Sequence, residues 1–175
     1  MKKTALIILI GVTTFCASAQ GKEFELNFGF TTGDFSDEYG FEINLKGGYL
    51  WEVSSGFILG PSLGFSSIFS KKDEGAGALN DLITLTISAA GRVDLSETVF
   101  LGADLGYGFI TTALAAIGGG GKGGLHYRPI IGFKLGERFA IMASYSSIII
   151  NEEDFSSLDT FQIGLRYRAF KGFRR

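Results

Sequence analysis

The stretch Glu23-Phe24-Glu25-Leu26-Asn27-Phe28-Gly29-Phe30-Thr31 sets Phe24, Leu26, Phe28 and Phe30 at every second position, with Glu25, Asn27 and Gly29 between them. Successive side chains of a β-strand point to opposite faces, so this alternation describes a strand with one apolar and one polar side. The same period of two returns seven more times. Tyr39, Phe41, Ile43, Leu45, Gly47 and Tyr49 alternate with Glu42, Asn44 and Lys46. Phe57, Leu59, Pro61, Leu63 and Phe65 alternate with Gly60, Ser62 and Gly64. Ile83, Leu85, Ile87, Ala89, Gly91 and Val93 alternate with Thr84, Thr86, Ser88, Arg92 and Asp94. Val99, Leu101, Ala103, Leu105, Tyr107 and Phe109 alternate with Gly102, Asp104, Gly106 and Gly108. Leu125, Tyr127, Pro129, Ile131, Phe133 and Leu135 alternate with His126, Arg128, Gly132 and Lys134. Phe139, Ile141, Ala143 and Tyr145 oppose Ser144 and Ser146, and Phe161, Ile163, Leu165, Tyr167 and Ala169 oppose Gln162, Gly164, Arg166 and Arg168.

Ten charged residues fall on the polar faces of these eight strands and none on the apolar faces. The apolar faces carry the bulk, in Phe, Tyr, Leu and Ile, while Gly, Ser and Thr dominate the polar ones. A soluble barrel would need that bulk inside, where so many large side chains do not fit. With the polar face inside, small residues and paired charges suit the cramped lumen of eight strands. Apolar outside and polar inside is the pattern of a membrane-spanning barrel, and strands of about 9–12 residues match a tilted crossing. The expected fold is therefore all-β, an eight-stranded antiparallel up-and-down transmembrane β-barrel.

The connections expected between strands are Thr32–Glu38, Trp51–Gly56, Ser70–Asp81, Leu95–Thr98, Thr111–Gly124, Gly136–Arg138 and Asn151–Leu158, alternately long and short. Short periplasmic turns and longer outer loops give that alternation, and an even strand number puts both termini on the periplasmic side. Aromatic residues gather near both expected interfaces, with Tyr49, Trp51, Phe57, Phe139 and Tyr167 below and Phe30, Tyr107, Phe109, Tyr127 and Tyr145 above. Pro61 and Pro129 lie inside strands that have no edge to excuse a missing N–H, so a β-bulge is expected at each. The uncharged run Leu105–Gly121 has helical length, but Gly106, Gly108 and Gly118–Gly121 argue against a helix.

Glu25, Glu42, Asp94 and Asp104 are expected inside the barrel, facing Lys46, Arg92, Arg128, Lys134, Arg166 and Arg168. Buried charges are tolerated when paired, so these ten form a candidate ion-pair network filling a closed interior. Eight strands leave room for side chains and no more, whereas aqueous pores come with 16–18 strands. A narrow ion path along the same charges is the alternative reading.

Met1-Lys2-Lys3, the uncharged Thr4–Phe15 and the small-x-small Ala17-Ser18-Ala19 make residues 1–19 a secretory signal peptide, leaving 20–175 as the barrel domain. The apolar run of about 12 residues is too short to span a bilayer, which takes about 20. Cys16 leaves with the peptide, and Phe15 before it is too large for a lipoprotein signal. Cleavage also removes Lys2 and Lys3, so 14 basic residues then face 18 acidic ones, a net charge of −4.

Among the 175 residues are 26 Gly, 17 Phe, one Cys and one His, which excludes a disulfide framework and metal sites built from several Cys and His. The near balance of charge argues against nucleic acid as a partner, and no cofactor is implied. The outer loops carry Asp34, Asp37, Glu38, Asp73, Glu74, Asp81, Glu152, Glu153 and Asp154 against Lys71, Lys72 and Lys122, nine acids to three bases. A rim of net −6 is either simply solvated or binds a basic partner or the divalent cations that bridge lipopolysaccharide. Ala113–Ile117 beside Gly118–Gly121 is apolar for a loop, and either folds over the barrel mouth or forms a contact patch. The glycine run lacks the Lys-Ser/Thr that completes a phosphate loop.

On these strands and loops the chain resembles the small bacterial outer-membrane β-barrels, the eight-stranded group that includes porin-like and opacity-like proteins. Their last strand carries an assembly signal, a polar residue, then Gly, then alternating apolar or aromatic residues. Gln162, Gly164, Leu165 and Tyr167 match it, and Phe170 supplies a late aromatic. Ala169 and the tail Lys171-Gly172-Phe173-Arg174-Arg175 depart from it. The resemblance implies the cell outer membrane as location, its lipid and lipopolysaccharide as surroundings, and recognition by the barrel-assembly machinery. Some small barrels modify lipid A, and those resembling the deacylases pair a His with a Ser two residues on. His126 is followed by Tyr127 and Arg128, so that pair is missing. The expected function is a structural or surface-interaction role without catalysis, with a narrow low-conductance channel as the alternative and a lipid A-modifying enzyme behind both.

Overall fold

A computed structural model of the chain describes residues 20–71, 81–112, 121–150 and 157–170. The expected signal peptide, the tail beyond Phe170, residues 113–120 of the apolar loop, and Lys72, Asp73, Glu74, Glu152, Glu153 and Asp154 lie outside the described residues.

Eight strands follow one another: β1 (Gln20–Thr32), β2 (Tyr39–Ser54), β3 (Phe57–Ser70), β4 (Leu82–Asp94), β5 (Val99–Thr112), β6 (Lys122–Lys134), β7 (Phe139–Ile149) and β8 (Ser157–Phe170). Each pairs antiparallel with the next, and β8 pairs with β1, so the sheet closes on itself. Closure follows from the solvent. In hydrocarbon an open edge leaves backbone groups unsatisfied, at several kcal/mol each.

Exposure alternates along most of each strand as the period of two requires, with breaks at Ser147-Ile148 of β7 and at the end of β2, and the bulky side is outside. Phe24, Leu26, Phe28 and Phe30 of β1 are exposed while Glu23, Glu25 and Asn27 between them are buried. Phe30 is 63 % exposed and Glu25 only 4 %. Such an inverted surface is stable only against lipid.

The strands run further than the alternation alone indicated. β2 continues to Ser54, so the connection expected over Trp51–Gly56 shrinks to Ser55-Gly56, with Gly56 at φ 77°. β3 extends to Ser70, and β8 begins at Ser157, inside the connection expected over Asn151–Leu158. The alternation of connections persists, with six, two, eleven, four, nine, four and seven residues between consecutive strands. The first long connection holds a 3-10 helix, Gly33–Asp37.

Three features differ from the sequence reading. The lumen is not polar throughout: apolar clusters sit at both ends beside the charges. At the short-turn end, Phe100, Ile130, Ala140 and Met142 form one buried apolar cluster, and Leu50, Ile58 and Ala90 another. At the long-loop end, Ile68, Leu82, Ile110, Ile148, Ile150 and Leu158 form a third, with Phe35 and Tyr39 packed against it. These residues share the inward parity of the charges, and they extend strands past the point where polar-apolar contrast fades.

Tyr39, expected outside, therefore turns inward. The β2–β3 register shifts by one residue between Tyr39/Ser70 and Glu42/Ile68, which reverses the face.

The prolines, finally, need no bulge. Pro61 pairs with Ala89 of β4, while on the β2 side pairing skips from Gly48/Ser62 to Trp51/Leu59 in unchanged register. Pro129 pairs with Ala103 of β5, and on the β7 side pairing skips from Tyr127/Ser147 to Ile130/Ser144, again unshifted. Each ring faces the strand where a short gap in the ladder absorbs the missing donor. At Gly60, beside Pro61, an added Cβ would collide with the Tyr49 carbonyl, so the backbones approach closely in that gap.

Candidate functional site

The centre of the lumen is an ion-pair network in which inward positions of adjacent and of facing strands meet. Arg92 of β4 donates from Nη1 to Asp104 Oδ1 at 2.7 Å and from Nη2 to Glu25 Oε1 at 3.0 Å. Arg128 of β6 reaches Glu25 Oε2 at 2.6 Å and lies 3.4 Å from Asp104 Oδ2. Lys46 of β2 crosses to Asp104 of β5 at 2.5 Å. All five side chains are almost fully buried. Arg128 also donates from Nε to Ser144 Oγ at 3.0 Å and from Nη2 to Asn27 Oδ1 at 3.1 Å. Asn27, Asn44, Ser66 and Thr84 continue as a chain of hydrogen bonds across β1 to β4, at 2.8, 2.9 and 2.9 Å.

Of the ten charges expected inside, five make this central network. Arg166 and Arg168 join it through Glu23, each at 3.5 Å, and the Arg166 guanidinium lies 3.7 Å over the Phe100 ring. Glu23 also meets Arg92 at 3.2 Å. Glu23 was missed because the polar face was counted from Glu25, although Glu23 shares its parity. Asp94 and Lys134 pair with each other at 2.7 Å, partly exposed at the short-turn rim and separate from the centre. Glu42 is buried and accepts from Gln162 Nε2 at 2.8 Å, with no ion pair among the described residues.

Above the network lies a polar cavity of about 20 Å³, lined among others by Glu42, Asn44, Lys46, Thr86, His126 and Gln162. That volume holds a water molecule and little more. His126 touches two hydroxyls, Ser88 Oγ at 2.9 Å from Nδ1 and Ser146 Oγ at 3.2 Å from Nε2. In place of a serine two residues on, the imidazole meets serines of β7, the adjacent strand, and of β4, one strand beyond β5. The imidazole is 2 % exposed. Among the described residues no group of three His, Cys, Asp or Glu could hold a metal ion.

The residues expected to carry an assembly signal divide by parity. Gln162 and Gly164 face inward, where Gln162 holds Glu42, and Gly164 leaves the space that Asn27 Oδ1 fills at the β8–β1 seam. Leu165 faces lipid, Tyr167 packs with Phe139 at 5.2 Å between ring centroids, and the Phe170 side chain lies outside the described residues.

A closed eight-stranded barrel, inverted and ion-paired inside, matches along residues 5–168 the family described as the outer membrane protein beta-barrel domain. The chain belongs to that family. Its place is the outer membrane, with the short-turn end and both strand termini of this barrel on the periplasmic side. Among solved structures, Ail, the attachment invasion locus protein of Yersinia pestis, has 19 % identity and a TM-score of 0.57, over 87 % of this chain and 99 % of Ail. The N-terminal β-barrel domain of Pseudomonas aeruginosa OprF has 10 % identity and a TM-score of 0.55, over 87 % of this chain and 100 % of that domain. Neisserial surface protein A has 14 % identity and a TM-score of 0.53, over 86 % and 98 %. Likeness at such identities is likeness of fold. No curated protein matches the chain in sequence.

Proposed function

We propose that this outer-membrane barrel is a closed structural scaffold that presents its outer loops to a partner, without transport or catalysis. The observation carrying this reading is the layered lumen, with apolar clusters at both ends of a buried ion-pair network and about 20 Å³ of free space between. An ion would have to pass the apolar clusters at both ends and compete with paired charges, and apolar constrictions oppose conduction by dewetting. His126 lies under the outer apolar cluster, out of reach of a lipid substrate. Residues 1–19 are removed as a signal peptide, and Gln162, Gly164, Leu165 and Tyr167 guide insertion by the assembly machinery.

The partner is basic or bridged by divalent cations. Asp34, Asp37 and Glu38 are exposed in the first long connection, within a rim of nine acids to three bases. Ail has been solved with the heparin analogue sucrose octasulfate, a polyanion that this acidic rim would repel.

Reconstituted protein in planar bilayers tests the scaffold, and binding to immobilised polylysine and heparin tests the rim. No conductance steps, retention on polylysine, and weaker retention for Asp34→Asn/Asp37→Asn/Glu38→Gln are expected. Reproducible steps, or equal retention on heparin, would overturn the reading.

A further inference from the structure

The lipid-facing surface is not uniform. Two grooves cut into it, one of about 530 Å³ lined by Phe24, Leu45, Gly47, Leu63, Leu165 and Tyr167, the other of about 440 Å³ around Leu59, Ala89, Gly91 and Ala103. Both fall in the size range of small-molecule sites, about 300–1,000 Å³. The first exists because Gly47 presents no side chain among larger outward neighbours. A Cβ there would meet only the Phe24 ring, at 4.0 Å, so nothing in the backbone forbids a larger residue.

What separates the grooves is the charge beneath them. Below the first, on the periplasmic side, Lys22 sits outward on β1, directly between Tyr49 of β2 and Ala169 of β8. It is two residues from Phe24 on the same face, about 7 Å along the strand. Arg138 lies exposed in the turn leading into Phe139, and its carbonyl accepts from the Arg168 N–H at 2.8 Å, next to Ala169. Beneath the second groove the turn 95–98 offers Glu97 and no cation.

We propose that Lys22 and the Gly47 groove form a binding site for one anionic phospholipid of the periplasmic leaflet. The phosphate sits against the Lys22 ammonium at headgroup level, where long cationic side chains extend from an apolar stem. One acyl chain fills the gap above Gly47. A single cation next to an anionic headgroup favours it about fivefold over a zwitterionic one.

The chain carries its own reporter. Trp51, its single tryptophan, follows Tyr49 on the same outward face and rim. The mature protein is reconstituted in phosphatidylcholine vesicles containing graded amounts of phosphatidylglycerol or phosphatidylethanolamine brominated on the acyl chains, and Trp51 quenching is read. Half-maximal quenching is expected at an about fivefold lower mole fraction of the anionic lipid. Lys22→Gln is expected to abolish that preference, and Gly47→Leu to reduce it by filling the groove without touching charge. Heat-modifiable gel mobility verifies that both variants are folded. Equal quenching by the two lipids in the unaltered protein, or a preference surviving Lys22→Gln, overturns the site. A preference lost in Lys22→Gln but intact in Gly47→Leu overturns it too, because charge alone would then hold the lipid.

Discussion

Glu25 and Arg128, 103 residues apart in the chain, meet across the lumen at 2.6 Å. The second oxygen of the same carboxylate accepts from Arg92 at 3.0 Å, so one acid on β1 ties together β4 and β6. Removing it leaves both guanidinium groups buried, with Arg128 dependent on Asp104, which Arg92 and Lys46 also share. Breaking a buried pair by deleting one partner costs about 3–5 kcal/mol. Glu25→Ala is expected to destabilise the barrel by that order, read from urea unfolding in detergent micelles. The double variant Glu25→Met/Arg128→Met is expected to lose less than the sum of its single changes. Strict additivity would mean that the two residues do not interact.

The apolar layers make the sharpest contrast between inside and outside. Phe100 is 0 % exposed, packed with Ile130, Ala140 and Met142 and lying under the Arg166 guanidinium. Phe161 points into lipid at 47 % exposed. Emptying a packed site of a Phe side chain costs about 3–5 kcal/mol, because the surroundings collapse only partly. Lipid closes around a truncated outer residue and leaves no void. Phe100→Ala is therefore expected to destabilise the folded barrel in micelles by that amount, and Phe161→Ala by clearly less. Equal losses would contradict the assigned faces.

Charge placement gives the complementary test. Ile163 is 56 % exposed on the lipid face of β8, near the middle of the strand. An Arg on the lipid side at the bilayer midplane costs about 2–4 kcal/mol. Ile163→Arg is expected to lose this much in lipid vesicles. A loss near zero would mean that position 163 touches water.

Those faces could be read from the residues because a side-chain period of two leaves a single binary choice per strand. Glu25, Lys46, Arg92, Asp104 and Arg128 followed from that choice, and so did the eight strands and their up-and-down order. What the alternation concealed is height along the barrel. Phe100 and Ile130 have the parity of Asp104 and Arg128, yet they plug one end, and polarity alone does not locate a residue along the lumen. Glu42 was expected among the ion pairs and is instead held by Gln162, because pairing across a closed sheet depends on the shear of the strands, which no local pattern encodes. The same reason hides Ser88 and Ser146 beside His126, which come from strands on either side of it in space. Pro61 and Pro129 defied a local rule whose remedy was also local, a skipped stretch of ladder instead of an extra residue.

Gly164 shows how one residue of the last strand serves the closed barrel itself. On the lumen side of the β8–β1 seam, an added methyl group would occupy the position of Asn27 Oδ1 and crowd the Leu26 carbonyl. Asn27 cannot retreat freely, since it donates to Asn44 at 2.8 Å and accepts from Arg128 at 3.1 Å. Gly164→Ala is therefore expected to weaken closure, lowering the temperature at which the folded gel band converts to the unfolded one. Shortening the facing residue should relieve the steric part of that effect. Gly164→Ala/Asn27→Ser is expected to recover part of the lost temperature, after allowing for the cost of Asn27→Ser alone. If Gly164 mattered only as a signal to the assembly machinery, the single variant refolded from urea into micelles, with no machinery present, would melt like the unaltered protein. A lowered transition in that purified refolded sample, partly restored by Asn27→Ser, ties the glycine to the seam.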